Sequence, residues 1–174
     1  MTTYKIDVTH SEVTFKIKHL MISNVSGNFT KFDGEITANN EDLSDAVFSF
    51  EADIDSINTN NEQRDGHLKS ADFFEAENHP KLSFKSTSFT KKGDDYELVG
   101  DFTLRGFTKS VKLNADYSGS ALDPYGNEKH GFEISGKISR KEFGLEFNII
   151  TDAGNIVLSD DVKLLVNAQF AKVN

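Results

Sequence analysis

Val13-Thr14-Phe15-Lys16-Ile17-Lys18-His19 alternates apolar and polar residues without a break. On a strand, successive side chains point to opposite faces. Val13, Phe15, Ile17 and His19 therefore share one face, and Thr14, Lys16 and Lys18 the other. The same period returns in Phe48, Phe50, Ala52 and Ile54, set against Ser49, Glu51 and Asp53. It recurs in Leu82 and Phe84; in Tyr96, Leu98, Phe102 and Leu104; and in Val111, Leu113, Ala115 and Tyr117. Phe132, Ile134 and Ile138 follow, and Val162, Leu164, Val166, Ala168 and Phe170 close the series. With the segment from Val25 to Ile36 this makes about eight strands, parted by turn signals such as Lys92-Gly93-Asp94-Asp95 and Asp123-Pro124-Tyr125-Gly126-Asn127. One wet face per strand means antiparallel pairing. Closing such strands on themselves removes their edges, so the predicted fold is all-β: a single eight-stranded antiparallel barrel over residues 1–174. Pro80 and Pro124, the two prolines, both fall outside the strands, as a hydrogen-bonded ladder requires.

One polar stretch breaks the pattern, Thr59-Asn60-Asn61-Glu62-Gln63-Arg64-Asp65-Gly66-His67-Leu68-Lys69-Ser70-Ala71-Asp72-Phe73-Phe74. Leu68 follows Arg64 at helical spacing, and two phenylalanines end the run. A short helix inside a β chain usually plugs or rims something. Leu68, Phe73 and Phe74 are expected to close the apolar interior. Arg64 and Asp65 admit two readings: they pin the segment, or Arg64 offers its planar fork to an anionic headgroup.

Charge and composition exclude several classes. A net charge of −9 leaves nothing to neutralise a run of phosphates, so no nucleic-acid partner is expected. There is no cysteine, hence no disulfide framework or thiol chemistry. No apolar run approaches a membrane span and no leader follows Met1, which predicts a cytoplasmic protein with no integral membrane segment. A mature secreted chain behind a new Met reads the same way. His10, His19, His67, His79 and His130 are scattered, without the paired spacing of a metal site. No nucleophile elbow, phosphate loop or dinucleotide fingerprint occurs, so neither catalytic nor metal residues are assigned. Asp94-Asp95 and Asp160-Asp161 point apart on a strand and read as solvated turns or strand ends.

Fifteen of the nineteen aromatic residues are Phe, which fills volume without a polar atom. Small residues share its inward phase: Ala52, Ser86, Gly100, Ala115, Gly136 and Ala168. A packed core and a greasy lumen with room for a chain-like molecule both fit that mixture.

A wider set of residues carries a resemblance. It comprises Asp7, His10, Ser11 and Phe15-x-x-x-His19-Leu20; Gly27-x-Phe29-x-x-Phe32-x-Gly34; Ser56-Ile57-x-Thr59 and the stretch that follows; and His79-Pro80-x-x-x-Phe84-x-Ser86-Thr87. It continues with Gly100-Asp101-Phe102-Thr103-Leu104-Arg105-Gly106-Phe107-Thr108-Lys109, Gly131-Phe132 and Ile138-Ser139-Arg140-Lys141-Glu142-Phe143-Gly144-Leu145. Together these resemble the YceI-like family of lipocalin-like polyisoprenoid-binding proteins. The resemblance implies a lipocalin-like barrel with a helix across one side and a long amphiphile in the lumen, of polyisoprenoid, quinone or fatty-acyl type. It implies no other cofactor, no firmly attached catalytic activity, and a homodimer in many members. Phe107 stands where the family usually has a smaller β-branched residue, which predicts a locally narrower cavity.

The expected function is non-enzymatic binding, carriage or sequestration of such a lipid. Candidate lining residues, taken from strand phase, are Phe15, Ile17, His19, Phe50, Phe84, Phe102, Leu113, Phe132, Ile138, Leu164 and Val166. Arg64, Leu68, Phe73 and Phe74 are candidates for the headgroup or lid. Two alternatives stay open: an enzyme acting on a lipid-linked substrate through His19, Arg64 or Asp65, and a stress-related structural module whose barrel is full.

Overall fold

The computed structural model describes residues 1–148 and 158–174. Among these residues eleven strands share one sheet. They are β1 (Thr2–Ile6), β2 (Glu12–His19), β3 (Ser23–Phe29), β4 (Phe32–Ala38), β5 (Val47–Asp53), β6 (Ile57–Asn58), β7 (Lys81–Lys92), β8 (Asp95–Leu104), β9 (Phe107–Leu122), β10 (Glu128–Ser139) and β11 (Leu158–Lys172). Among the described residues one α-helix, α1 (Glu62–Lys69), interrupts them.

The eleven strands make eight staves. β1 and β2 follow one another along the same edge of β11, Ile6 opposite Phe170 and Val13 opposite Val166. β4 and β3 pair with that bent stave, and β5 and β6 pair with β4 and β3 in turn. Pairing then runs in chain order through β7, β8, β9, β10 and β11, and β11 returns to β1 and β2. The result is a closed up-and-down antiparallel barrel of eight staves.

Each bend replaces the ladder bonds it loses. Asp7 caps the 3-10 turn Val8–His10, its Oδ1 accepting from the Thr9 N–H at 3.1 Å. Asp7 N donates to Gln169 O (2.7 Å), and Gln169 N donates to Ser11 Oγ (3.0 Å). The second and third staves bend side by side and bond each other there, Asp53 N to Lys31 O and Thr30 N to Ser56 O.

One end of the barrel carries the turns between β4 and β5, β7 and β8, and β9 and β10. It is closed by rings: Phe48, Phe132 and Phe170 meet edge to face at 5.4–6.3 Å, and Tyr117 stacks on Phe132 at 4.9 Å. Buried His130 completes this end, with Nδ1 2.6 Å from Tyr117 Oη and Nε2 2.8 Å from Glu128 Oε1. Burial pushes the Tyr117 phenol up, whereas the bond from His130 holds the Glu128 carboxyl below its ordinary range. Phe132 belongs to this plug. Its inward phase is as expected, but its neighbours fill the space around it, so it is not part of the cavity wall.

The small inward residues also have another use than making room. A Cβ on Gly100 would stand 2.5 Å from Phe84 Cζ, one on Gly27 2.5 Å from Phe15 Cζ, and one on Gly136 2.5 Å from Leu113 Cδ2. These glycines seat neighbouring side chains. The outer face of the sheet is charged, with Lys16, Lys85, Lys163, Asp116 and Glu133 all exposed, the reverse of a lipid-facing barrel. Among the described residues no helix is long and apolar enough to cross a membrane.

Candidate ligand-binding site in the barrel lumen

The opposite end of the barrel is the mouth. It gathers the β2–β3 turn, the α1 segment between β6 and β7, the Arg105-Gly106 turn, and the start of the connection from Arg140. Beneath it lies an outer chamber of about 340 Å³. A narrower inner chamber of about 100 Å³ adjoins it in mid-barrel. Phe15, Phe29, Leu82, Phe102 and Leu164 line both and form the neck between them. The barrel is not filled by its own side chains.

Ten of the eleven phase-assigned residues stand on these walls. Phe15, Ile17, His19, Phe102, Ile138 and Leu164 face the outer chamber. Phe50, Phe84, Leu113 and Val166 face the inner one. Phe132 is the exception described above. Phe107 is also placed differently: it is 47% exposed and leans on Gly144 outside the barrel, where it narrows nothing.

Arg64, Leu68, Phe73 and Phe74 all line the outer chamber. The helix contributes less than its spacing implied, since none of its eight residues is buried. Asn61 caps it, accepting from Arg64 N at 3.0 Å, and the two phenylalanines lie beyond its end. A tight turn holds them, with Phe74 N donating to Leu68 O and Ala76 N to Lys69 O, both at 2.9 Å. Phe73 packs against His67 and Phe147, each with ring centroids 5.1 Å away, and Phe74 meets Phe29 at 6.5 Å.

Buried Thr59 organises the polar side of this segment. Its hydroxyl donates to Asp65 Oδ1 (2.5 Å) and accepts from Arg64 Nε (2.8 Å). Its N–H donates to the same Asp65 oxygen, and its carbonyl accepts from Arg64 Nη2. The pinning reading of Arg64 and Asp65 is thus the geometry found. Asp65 does not line either chamber.

Arg140 was missed. It reads as an ordinary turn cation after β10, yet it is 2% exposed and lines the outer chamber. Backbone carbonyls hold its guanidinium: Ser159 O at Nε (2.9 Å), and Leu145 O (2.6 Å) and Phe147 O (2.8 Å) at Nη1. Burial pushes it down from its ordinary pKa, and Asp160 opposes that shift. Burial would by itself raise the Asp160 carboxyl. Bonds from Ser139 Oγ and Lys141 N keep it below the usual range instead. The stretch 138–145 carries part of the family resemblance, but strand phase does not mark Arg140, because backbone carbonyls and not an inward-facing pattern hold it.

Among the described residues the polar groups on the outer wall are His19, Thr59, Arg64, His67 and Arg140, and no Asp or Glu lines either chamber. Among the described residues no group of three or more His, Asp or Glu is placed to hold a metal ion.

A model of the YceI-like domain matches residues 4–170. The chain belongs to the YceI-like family. A UPF0312 protein of Staphylococcus epidermidis is 36% identical over 172 residues, 98% of either chain. The YceI protein of Campylobacter jejuni is 32% identical, with a TM-score of 0.77 over 90% of each chain. A polyisoprenoid-binding domain from Saccharophagus degradans shares the fold, with a TM-score of 0.72 over 97% of each chain at 16% identity. The closed barrel with one short helix is thus a YceI-like fold.

Proposed function

We propose that this YceI-like protein binds, in its lumen, a single-chain amphiphile with an anionic head, and carries or sequesters it without chemical change. The observation behind this is the pair of chambers, apolar along their length and cationic only at the mouth. An engineered apolar cavity of about 150 Å³ accepts benzene, or roughly 25 Å³ per carbon. By that measure chambers of about 340 and about 100 Å³ take a chain of roughly fifteen to twenty carbons. A forty-carbon chain needs on the order of 1,000 Å³ and exceeds them.

Burying such a chain yields on the order of 10 kcal/mol at about 0.8 kcal/mol per methylene. Ordering and association costs subtract several kcal/mol, which leaves an affinity of about a micromolar. The head is read from charge. In a protein with 28 acidic and 19 basic residues, the cavity wall carries no carboxylate among the described residues. The His19 ring and Arg64 Nη1, at the mouth, have no hydrogen-bond partner among the described residues. Sharing its fold with a polyisoprenoid-binding domain supports a chain-like ligand.

The test is direct. Protein purified without detergent is solvent-extracted and the extract identified by mass spectrometry. The delipidated protein is then titrated with palmitate, farnesyl phosphate and their neutral alcohols. We expect one-to-one binding that favours the anions at least tenfold. A protein that comes out empty and takes up none of the four refutes carriage.

A further inference from the structure

The turn that joins β2 to β3 is built against local preference. Leu20 and Met21 occupy its two central positions at φ 53° and 60°, a left-handed conformation that two-residue hairpins normally give to Asn and Gly. The turn closes with Ile22 N donating to His19 O at 3.2 Å. Instead of polar side chains it presents apolar ones to solvent, Met21 61% and Ile22 84% exposed, with Leu20 beside them at 37%. Strain and apolar exposure at one tip have no structural return inside the barrel. The residues flanking the tip, His19 and Val25, line the outer chamber, so the tip stands on its rim.

Behind the tip lies a second unfavourable arrangement. On the outer face Lys16 is directly opposite Lys163, and Lys163 directly opposite Lys137, across β2, β11 and β10. Like charges in register repel. Lys18 adds a fourth exposed cation one step nearer the tip. Among the described residues the acidic partner within ion-pair reach of this row is Asp161, 3.8 Å from Lys137. The far end of the same strands is acidic, with Glu12, Glu133 and Asp116 flanking Asn167 in register. A chain of net charge −9 has therefore concentrated four lysines on one flank of its mouth, three of them without an ion pair among the described residues.

We propose that the β2–β3 turn and the lysine row dock the barrel mouth on an anionic lipid bilayer. Leu20, Met21 and Ile22 enter the boundary between headgroups and acyl chains. At about 3.3 Å per strand residue, Lys18 and Lys16 then lie roughly 7 and 13 Å behind Leu20, at headgroup depth. Charge complementarity selects the bilayer: the row repels a basic partner, and the apolar tip has no use for a merely polar one. Docking rests on the tip and the row alone. Its use for passing a chain between bilayer and lumen, without exposure to water, rests on the carrier reading above.

Flotation with phosphatidylcholine vesicles, with and without phosphatidylglycerol, tests the docking. The wild-type protein should float with the anionic vesicles at low salt and much less with neutral ones or at high salt. Replacing Lys16→Gln or Lys163→Gln should weaken association about fivefold each, while thermal stability holds or rises because the like-charge contact is gone. The pair Met21→Ser and Ile22→Ser should weaken it at least tenfold and leave uptake of palmitate from solution unchanged. Glu133→Gln, at the far end, should change nothing. The proposal is overturned if the wild-type protein ignores anionic vesicles, or if the tip variants float as well as it does. It is also overturned if Ile22→Ser merely converts a soluble dimer into monomers, which assigns the tip to a second copy of the chain. Vesicle binding without any palmitate uptake would retain the docking and sink the carrier reading instead.

Discussion

At Thr59 one buried residue makes four polar contacts at the entrance of the cavity. Two run through the hydroxyl and two through the backbone, so a valine of the same shape removes half of them and leaves Arg64 Nε and Asp65 partly unsatisfied. Thr59→Val is expected to cost about 1–3 kcal/mol in urea unfolding. Thr59→Ser, which keeps the hydroxyl and loses only the methyl, should lie closer to wild type. Equal costs for the two variants would mean that the methyl, and not the hydrogen bonds, holds the segment. Whether Arg64 and Asp65 pin the chain or do chemistry was undecided in the sequence for a physical reason. Both roles call for a charged pair near a polar anchor, and the sequence does not show which way the hydroxyl of Thr59, five and six residues away, is turned. Arg140 is the extreme case, a cation held by carbonyls both of the residues just after it, Leu145 and Phe147, and of the start of β11.

The elements were legible where alternation is strict. The third to eighth staves are recognisable from one apolar face, because barrel closure buries one face along the whole strand, whereas the second is read only as a segment from Val25 to Ile36. The first stave was recognised only in its second half, from Val13 onward, since Thr2-Thr3-Tyr4-Lys5-Ile6 is short and followed at once by a turn. The bends stayed hidden because backbone bonds to neighbouring staves define them. The first bend carries a measurable charge. Lys129 Nζ donates to Asp7 Oδ2 at 2.7 Å, joining the bend to β10. That bond, with another from Thr9, holds the Asp7 carboxyl well below the ordinary range against the effect of burial. A carboxyl lower in the folded chain stabilises it fully above the unfolded value of about 3.9, and that contribution is lost as pH falls through the folded value. Asp7→Asn should therefore cost about 2 kcal/mol at neutral pH. Its deficit against wild type should shrink as the pH drops below about 4. A deficit independent of pH in denaturant titrations would show that the ion pair does not carry the effect, since the Asn oxygen can still cap Thr9.

For the whole molecule the question is how a barrel of Phe-rich staves keeps an interior open. Rings fill it where several staves converge on one level, as Phe48, Phe132 and Phe170 do at the closed end. Nearer the mouth the glycines at 27, 100 and 136 draw Phe15, Phe84 and Leu113 back against the wall and leave the axis clear. From strand phase alone a seated ring and a lumen-spanning ring look the same, so the lumen was legible and its extent was not. The neck tests whether both chambers act as one. Leu164 lies opposite Phe15 and Gly136 and lines both chambers, so Leu164→Trp should fill the passage between them. The outer chamber alone holds about thirteen carbons, so a twelve-carbon anion should bind the variant nearly as well as wild type. A sixteen-carbon anion loses the burial of about three or four methylenes, a drop of about 3 kcal/mol or on the order of a hundredfold. Overpacking is expected to cost about 1–3 kcal/mol of stability, and Leu164→Phe gives a milder block should the larger ring prevent folding. Equal weakening of both anions would place the chain elsewhere than through the neck, whereas loss confined to the longer one identifies the inner chamber as the seat of its tail.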